Sequence, residues 1–222
     1  MKTTNEKSLL EKEIKYIREK KVDSKYIDFF EERVELYLKE NPEDEDMWLK
    51  YALFEAEMPL KDTQKAVNIL RKLINYNPNN IKAMLIMADL MNLELGGVDN
   101  ELLEKLINAK SSNKEEAAML ALTISLFYSK KADEVNEEKW LKKSILLDQK
   151  LSCSFTRLGE LYFRQGNKKR GRQYIKIGLD NILLQPHDHL DEIDEYINEF
   201  VKGINSTSEY IEYMKEEYGI EN

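Results

Sequence analysis

The chain holds a single cysteine, four prolines, eight glycines and two histidines among 222 residues. One cysteine excludes an internal disulfide and any multi-cysteine metal knuckle. So few glycines and prolines disfavour a β-sandwich, which needs turn residues at short intervals. Basic residues are also in deficit, 34 against 42 acidic ones, giving a net charge of −8, which argues against a general nucleic-acid binder. The longest uncharged run, Ala117 to Ser129, is too short to span a bilayer. The opening MKTTNEKSLLEKEIKYI lacks an apolar core of about 7–15 residues, so no secretory signal is read there. Lys2 stands where myristoylation needs glycine, and no prenylation box ends the sequence. The expected location is a reducing cytoplasm, with no membrane partner. Hydrophobic residues at 42% and charged residues at 34% belong to a globular chain, not a disordered one.

What is present is helical periodicity over nearly the whole length. Ile14, Ile17 and Val22 mark a first segment, and Tyr26, Phe29, Phe30, Val34, Tyr37 and Leu38 form an apolar face on a second. Pro42, Pro59, Pro78 and Pro186 fall where helices should stop, because a proline removes a backbone hydrogen bond and clashes with the preceding turn. The segments are short and paired, as in stacked helical hairpins.

The clearest unit is 152–182. Phe155, Leu158, Gly159 and Tyr162 lie on its first helix, Gly166 in the turn, and Gly171, Ile175 and Gly178 on its second helix. Gly159 and Gly171 let the two helices approach closely. Phe155, Leu158, Tyr162 and Ile175 fill the space around them. This unit resembles the tetratricopeptide repeat. The pattern recurs with Trp48, Tyr51, Ala52, Glu55, Ala66, Leu70 and Pro78. It recurs again with Met84, Met87, Ala88, Met91, Leu102, Leu106 and Ala109, and then with Ala121, Ile124, Ser125, Tyr128, Leu141 and Ser144. Units start near Glu45, Ile81, Ala118 and Ser152, at spacings of 36, 37 and 34, against about 34 for the family. The second and third units lack the signature glycine and a terminating proline.

The expected fold is therefore an all-α superhelical array of antiparallel helix hairpins, a solenoid of about twelve helices. Residues 1–44 form a degenerate N-terminal helix pair, 45–183 four repeats, and 184–222 acidic C-terminal capping helices, together one cooperative body. The tail carries 11 Asp or Glu against Lys202 and Lys215, a net −9 that accounts for the acidity of the chain. Leu190, Ile193, Ile197, Phe200, Val201 and Ile204 stripe one tail helix. Tyr210, Ile211, Met214 and Tyr218 stripe the other, capped by Ser206 or Thr207. A polar-faced terminal cap is what a helical array needs.

No catalytic set emerges, so the chain reads as a non-enzyme without cofactor or metal. His187-Asp188-His189 offers three ligand types in one loop, but no second cluster completes four ligands, and an N-cap role for Asp188 is preferred. Cys153 has no histidine near it in the repeat. Gly96-Gly97 is not followed by the lysine of a phosphate loop. The many carboxylates stand three or four residues from lysines and read as solvated pairs. The basic cluster Lys168, Lys169, Arg170 and Arg172, extended by Arg164 and Lys176, is read as a solvated turn ahead of a docking point for an acidic partner or phosphate.

The helices IKAMLIMADLMNLEL and AAMLALTISLFY are apolar nearly all round, so something must cover them: a partner or the chain's own tail. In tetratricopeptide arrays the first helices line a concave groove. The resemblance thus implies a partner-binding groove of Leu49, Leu53, Leu85, Ile86, Asp89, Leu93, Leu122, Leu126, Thr156, Arg157, Glu160 and Phe163. These positions do not supply the Lys/Asn/Arg set with which family members hold the C-terminal carboxylates of heat-shock chaperones. The expected function is protein or peptide binding through this groove, helped by the acidic C-terminal surface. Two alternatives stay open: an immunity or inhibitor protein that neutralises a basic toxin or enzyme, and a cytosolic secretion chaperone.

Overall fold

The computed structural model describes residues 2–20, 22–57, 60–183, 193, 196–197 and 208–220. These residues form eleven helices and no strand. The helices are α1 (Lys2–Glu19), α2 (Ser24–Glu40), α3 (Glu45–Ala56), α4 (Thr63–Tyr76), α5 (Ile81–Glu94), α6 (Asn100–Asn108), α7 (Lys114–Lys130), α8 (Glu134–Leu147), α9 (Ser152–Arg164), α10 (Lys168–Leu183) and α11 (Ser208–Tyr218). The chain is an all-α array of the tetratricopeptide type. None of the described helices is long and apolar enough to cross a membrane.

Helix starts follow one chemical rule. Asp23, Asp44, Asp62, Asp99, Asn113 and Asp133 each precede a helix and accept a hydrogen bond from a backbone N–H of its first turn. Asn80 and Asn167 do the same for Ala83 and Arg170. A side-chain oxygen there satisfies a donor that the helix itself cannot. Helix ends follow the prolines: α2 and α4 close on Asn41 and Asn77, each directly followed by proline. Pro59 and Pro186 lie outside the described residues, as do His187-Asp188-His189 and the Ser206/Thr207 cap.

By contact the chain divides into two compact units, Met1–Ala83 and Met84–Asn222. In the first, α1 packs on α2, α2 on α3 and α3 on α4. Its core holds Ile14 and Ile17 of α1, and Phe30 and Phe54, whose rings stand edge to face at 5.1 Å. Glu45 ties the α4–α5 turn by accepting from both Asn77 and Asn80, at 2.6 and 2.7 Å. A buried charge cluster lies between α2, α3 and α4. Lys65 pairs with Glu31 and, at 3.0 Å, with Glu55, while its ammonium sits over the Tyr51 ring.

In the second unit α6 packs on α7, α7 on α8, α8 on α9 and α9 on α10. Ser144 of α8 joins two helices at once: its hydroxyl donates to the Ala118 carbonyl at 2.8 Å and lies 2.7 Å from the Ser154 hydroxyl. The last hairpin closes on its glycines. A Cβ placed on Gly159 would lie 2.7 Å from the Gly171 carbonyl oxygen and 2.9 Å from the Ile175 nitrogen. Helix α11 covers the outer side of α10, with Ile211 and Met214 buried against Ile175, Leu179 and Ile182. Tyr210 and Tyr218 border this core, and the Tyr218 ring meets Phe163 edge to face at 4.8 Å.

Candidate functional site

The twelve groove positions separate into three groups. Leu49 and Leu53 on α3, Leu85 and Ile86 on α5, and Leu122 on α7 are all buried, Leu85 and Ile86 completely. In this structure they are core positions. Thr156 and Phe163 sit in the seam between α9 and α10. The Thr156 methyl occupies the space beside Gly178, and the Phe163 ring the space beside Gly171. Both spaces exist because those residues have no Cβ, so the small residues of α10 draw these two side chains toward the partner helix. The remaining positions, Asp89, Leu93, Leu126, Arg157 and Glu160, keep some accessible surface, and Leu93 is 65% exposed.

The polar members of that last group belong to one electrostatic neighbourhood in the second unit. Cys153, Arg157 and Glu160 recur at four- and three-residue spacing, which places them along one side of α9. Arg157 interacts electrostatically with Asp89 of α5 and with Glu160. Burial raises the pKa of both carboxyls above the ordinary range, more than the Arg157 charge lowers it. Burial also pushes the Tyr210 hydroxyl up to about 12. The Arg157 side chain also interacts with Cys153, and among the described residues its buried Nε has no hydrogen-bond partner.

The chain's own tail reaches this neighbourhood. The Tyr196 hydroxyl donates to Asp89 Oδ2 at 2.9 Å across 107 residues of sequence. Ile193, Tyr196 and Ile197 are all buried. Tyr196 lies outside the aliphatic stripe read from the sequence, and no local pattern ties it to Asp89.

The basic cluster after α9 is largely tied within the chain. Arg164 forks onto Glu137 with bonds of 2.8 and 2.7 Å, and Arg170 lies 4.3 Å over the Tyr162 ring. Arg172 donates to the Tyr218 carbonyl at 3.0 Å, and Lys176 pairs with Asp180. Among the described residues no group of three His, Cys, Asp or Glu is arranged to hold a metal ion.

The comparisons agree with this architecture. The family described as SusR N-terminal TPR domain matches residues 47–183. No curated protein matches by sequence. Among solved structures, a crystal structure of MamA protein superposes with a TM-score of 0.59 at 16% identity, covering 85% of this chain and 97% of the other. A crystal structure of PilW, a widely conserved type IV pilus biogenesis factor, gives 0.59 at 15% identity, covering 97% and 91%. A further crystal structure of MamA gives 0.54 at 17%, covering 69% and 87%. At these identities the likeness is one of fold.

Proposed function

Because the chain belongs to the SusR N-terminal TPR domain family, a fold that serves as a protein-interaction scaffold, we propose that it is a non-enzymatic module that binds a protein or peptide segment through the first-helix face of its second unit. The observation that carries the reading is the polar set Asp89, Arg157 and Glu160, partly buried, electrostatically coupled and set among apolar residues, with the Arg157 Nε unpaired among the described residues. Such groups are costly to take out of water, so a coupled polar set on an apolar face is better explained by recognition than by packing. Asp89, Glu160 and Arg157 supply polar selectivity, and Leu93 and Leu126 supply apolar contact. Arg157→Ala and Leu93→Asp are the informative variants, since neither side chain is fully buried in the core. Partner capture by crosslinking in the native host should fall at least tenfold for both, with circular dichroism unchanged. Capture that survives both substitutions refutes the groove.

One observation favours a second reading, an inhibitor that masks a basic protein. Glu209, Glu212, Glu216 and Glu217 all lie exposed on α11. Under that reading, charge reversal at Glu216 and Glu217 abolishes the complex and the Arg157 and Leu93 variants do not. Under the groove reading, the same reversals mainly change the association rate and its salt dependence.

A further inference from the structure

Helices α1 and α2 turn one side toward the rest of their unit. Lys7 of α1 pairs with Asp44 and Asp46, Glu11 of α1 with Lys50 of α3, and Glu31 of α2 with Lys65 of α4. Away from these contacts lies a patch of large apolar side chains. Leu9, Glu13 and Tyr16 follow at four- and three-residue spacing on α1, and Tyr26, Phe29, Arg33 and Leu36 at three-, four- and three-residue spacing on α2, so each set lies along one helix face. Phe29 is 57% exposed, Leu36 55%, Tyr16 50%, Leu9 47% and Tyr26 36%. The core face of α2 runs instead through Phe30, Val34, Tyr37 and Leu38. Direct contacts join the two sets. The Tyr16 and Tyr26 rings meet edge to face at 6.2 Å, and the Tyr26 hydroxyl donates to Glu13 at 3.3 Å. One Arg33 nitrogen donates to both Glu13 oxygens, at 2.9 and 2.7 Å, and the guanidinium lies 5.8 Å from the centre of the Phe29 ring. The outward side of a surface helix is ordinarily polar, and a continuous apolar patch there marks a contact surface.

We propose that this patch is the face through which two copies of the chain associate about a twofold axis. Charge decides for a second copy. The patch carries one acid and one base side by side, so it has no net charge to attract a partner of a single sign. Under a twofold axis the same pair is its own complement, with Glu13 of each copy meeting Arg33 of the other. Both side chains keep accessible surface. Arg33 also has donors to spare, because a single nitrogen makes both of its bonds to Glu13. Neither charge is left unpaired as water leaves the contact. Area agrees. Large side chains of about 150–250 Å² each, roughly half exposed, make a patch of roughly 400–500 Å² per copy. Two copies then bury roughly 800–1,000 Å² before the charged pair is added, which reaches the lower bound of about 1,000 Å² for a specific interface. The surface lies in the first unit and does not depend on Asp89 or Arg157.

The test is the molar mass of the full chain in solution, by light scattering and sedimentation equilibrium, from about 1 to about 500 μM, the range in which an interface of this modest size saturates. The wild type should pass from 26.2 kDa to twice that mass. Phe29→Lys and Leu36→Lys, both at exposed positions, should each weaken association at least tenfold with circular dichroism unchanged. Glu13→Arg and Arg33→Glu, each measured alone, should stay monomeric, because each face then meets its own like charges across the axis. An equimolar mixture of these two variants should restore the dimer, as a heterodimer with opposite charges facing each other. Where a charge variant does not fold, the two lysine variants decide. A wild type that stays monomeric to the highest concentration overturns the proposal. Association indifferent to Phe29→Lys and Leu36→Lys overturns it too, because the interface then lies elsewhere. Charge variants that dimerise alone, or a mixture that stays monomeric, overturn the twofold pairing of Glu13 with Arg33.

Discussion

Replacing Gly159 by alanine tests the central feature of the last hairpin, and the result is decisive. In a helix that touches nothing, glycine to alanine stabilises by about 0.8–1.0 kcal/mol through helix propensity. Here the new methyl would stand 2.7 Å from the Gly171 carbonyl oxygen and 2.9 Å from the Ile175 nitrogen, both backbone atoms, and 2.5 Å from Ile175 Cγ1. A relaxed carbon–oxygen contact is about 3.3–3.6 Å, so α9 and α10 must separate by roughly 0.6–0.9 Å. A rotamer change does not relieve a clash with backbone. Overpacking of this kind costs about 1–3 kcal/mol, occasionally more. Net of the propensity gain, a loss of about 0–2 kcal/mol remains. For a chain of this size each kcal/mol moves the melting temperature by about 2–4 °C. Gly159→Ala should therefore melt up to several degrees lower by circular dichroism and shift its denaturant midpoint downward with the slope unchanged. A melting temperature that rises by the full propensity gain means the helices do not meet at Gly159, and the assignment of the hairpin contact fails.

Two further outcomes are expected. Burial is the main cause that pushes Glu55 up to about 7, from an ordinary value of 4.5. A carboxyl raised on folding contributes stability that is fully present below about 4.5 and is lost as pH rises through 7. The wild type should thus lose on the order of a few kcal/mol between pH 4.5 and 8 from this group, and Glu55→Gln should flatten that part of the profile in pH-dependent melts. Met214→Ala removes a buried side chain from the α10–α11 core. It should cost about 2–5 kcal/mol in chemical denaturation, and wild-type stability in this variant would mean that α11 is an appendage.

Most of the scaffold was legible because its determinants are local. An aspartate or asparagine before a helix and a proline after one act within a few residues, and Gly159, Gly171 and Gly178 carry the hairpin contact in their spacing. The burial of Leu85, Ile86 and Leu122 was legible only as a requirement that something cover those helices. Periodicity reports how apolar a face is, not what lies against it. The carboxylates were half legible. Lys50–Asp46, Lys105–Glu101 and Lys142–Glu138 are the four-residue pairs that the sequence suggests. Arg33–Glu13, Lys65–Glu31 and Arg164–Glu137 instead join different helices. The Tyr196–Asp89 bond is the extreme case: it depends on where the fold returns the chain, and neither residue has a local signal for it.

The buried charges of the two units point to different roles. Glu55 in the first unit is surrounded by its own compensation: Lys65 pairs with it and with Glu31, and the Tyr51 ring lies under the ammonium. Such a closed set restricts which arrangement of α2, α3 and α4 is acceptable, and it needs nothing from outside. Removing Lys65 leaves Glu31 and Glu55 without their shared cation, so its consequences are conformational. Asp89 and Arg157 in the second unit are not closed in this way. Asp89 accepts from a hydroxyl far along the chain and faces the Arg157 charge, and among the described residues the Arg157 Nε has no hydrogen-bond partner. An arrangement selected for stability alone would replace the pair with aliphatic residues like the leucines and isoleucines around it, at little or no cost. Under the groove reading the pair is there to meet a ligand. The acidic residues on α11 cannot take that role, because exposed charges are screened by salt and contribute chiefly to encounter. Under the groove reading, selectivity belongs to Asp89 and Arg157, and the acidic surface to steering.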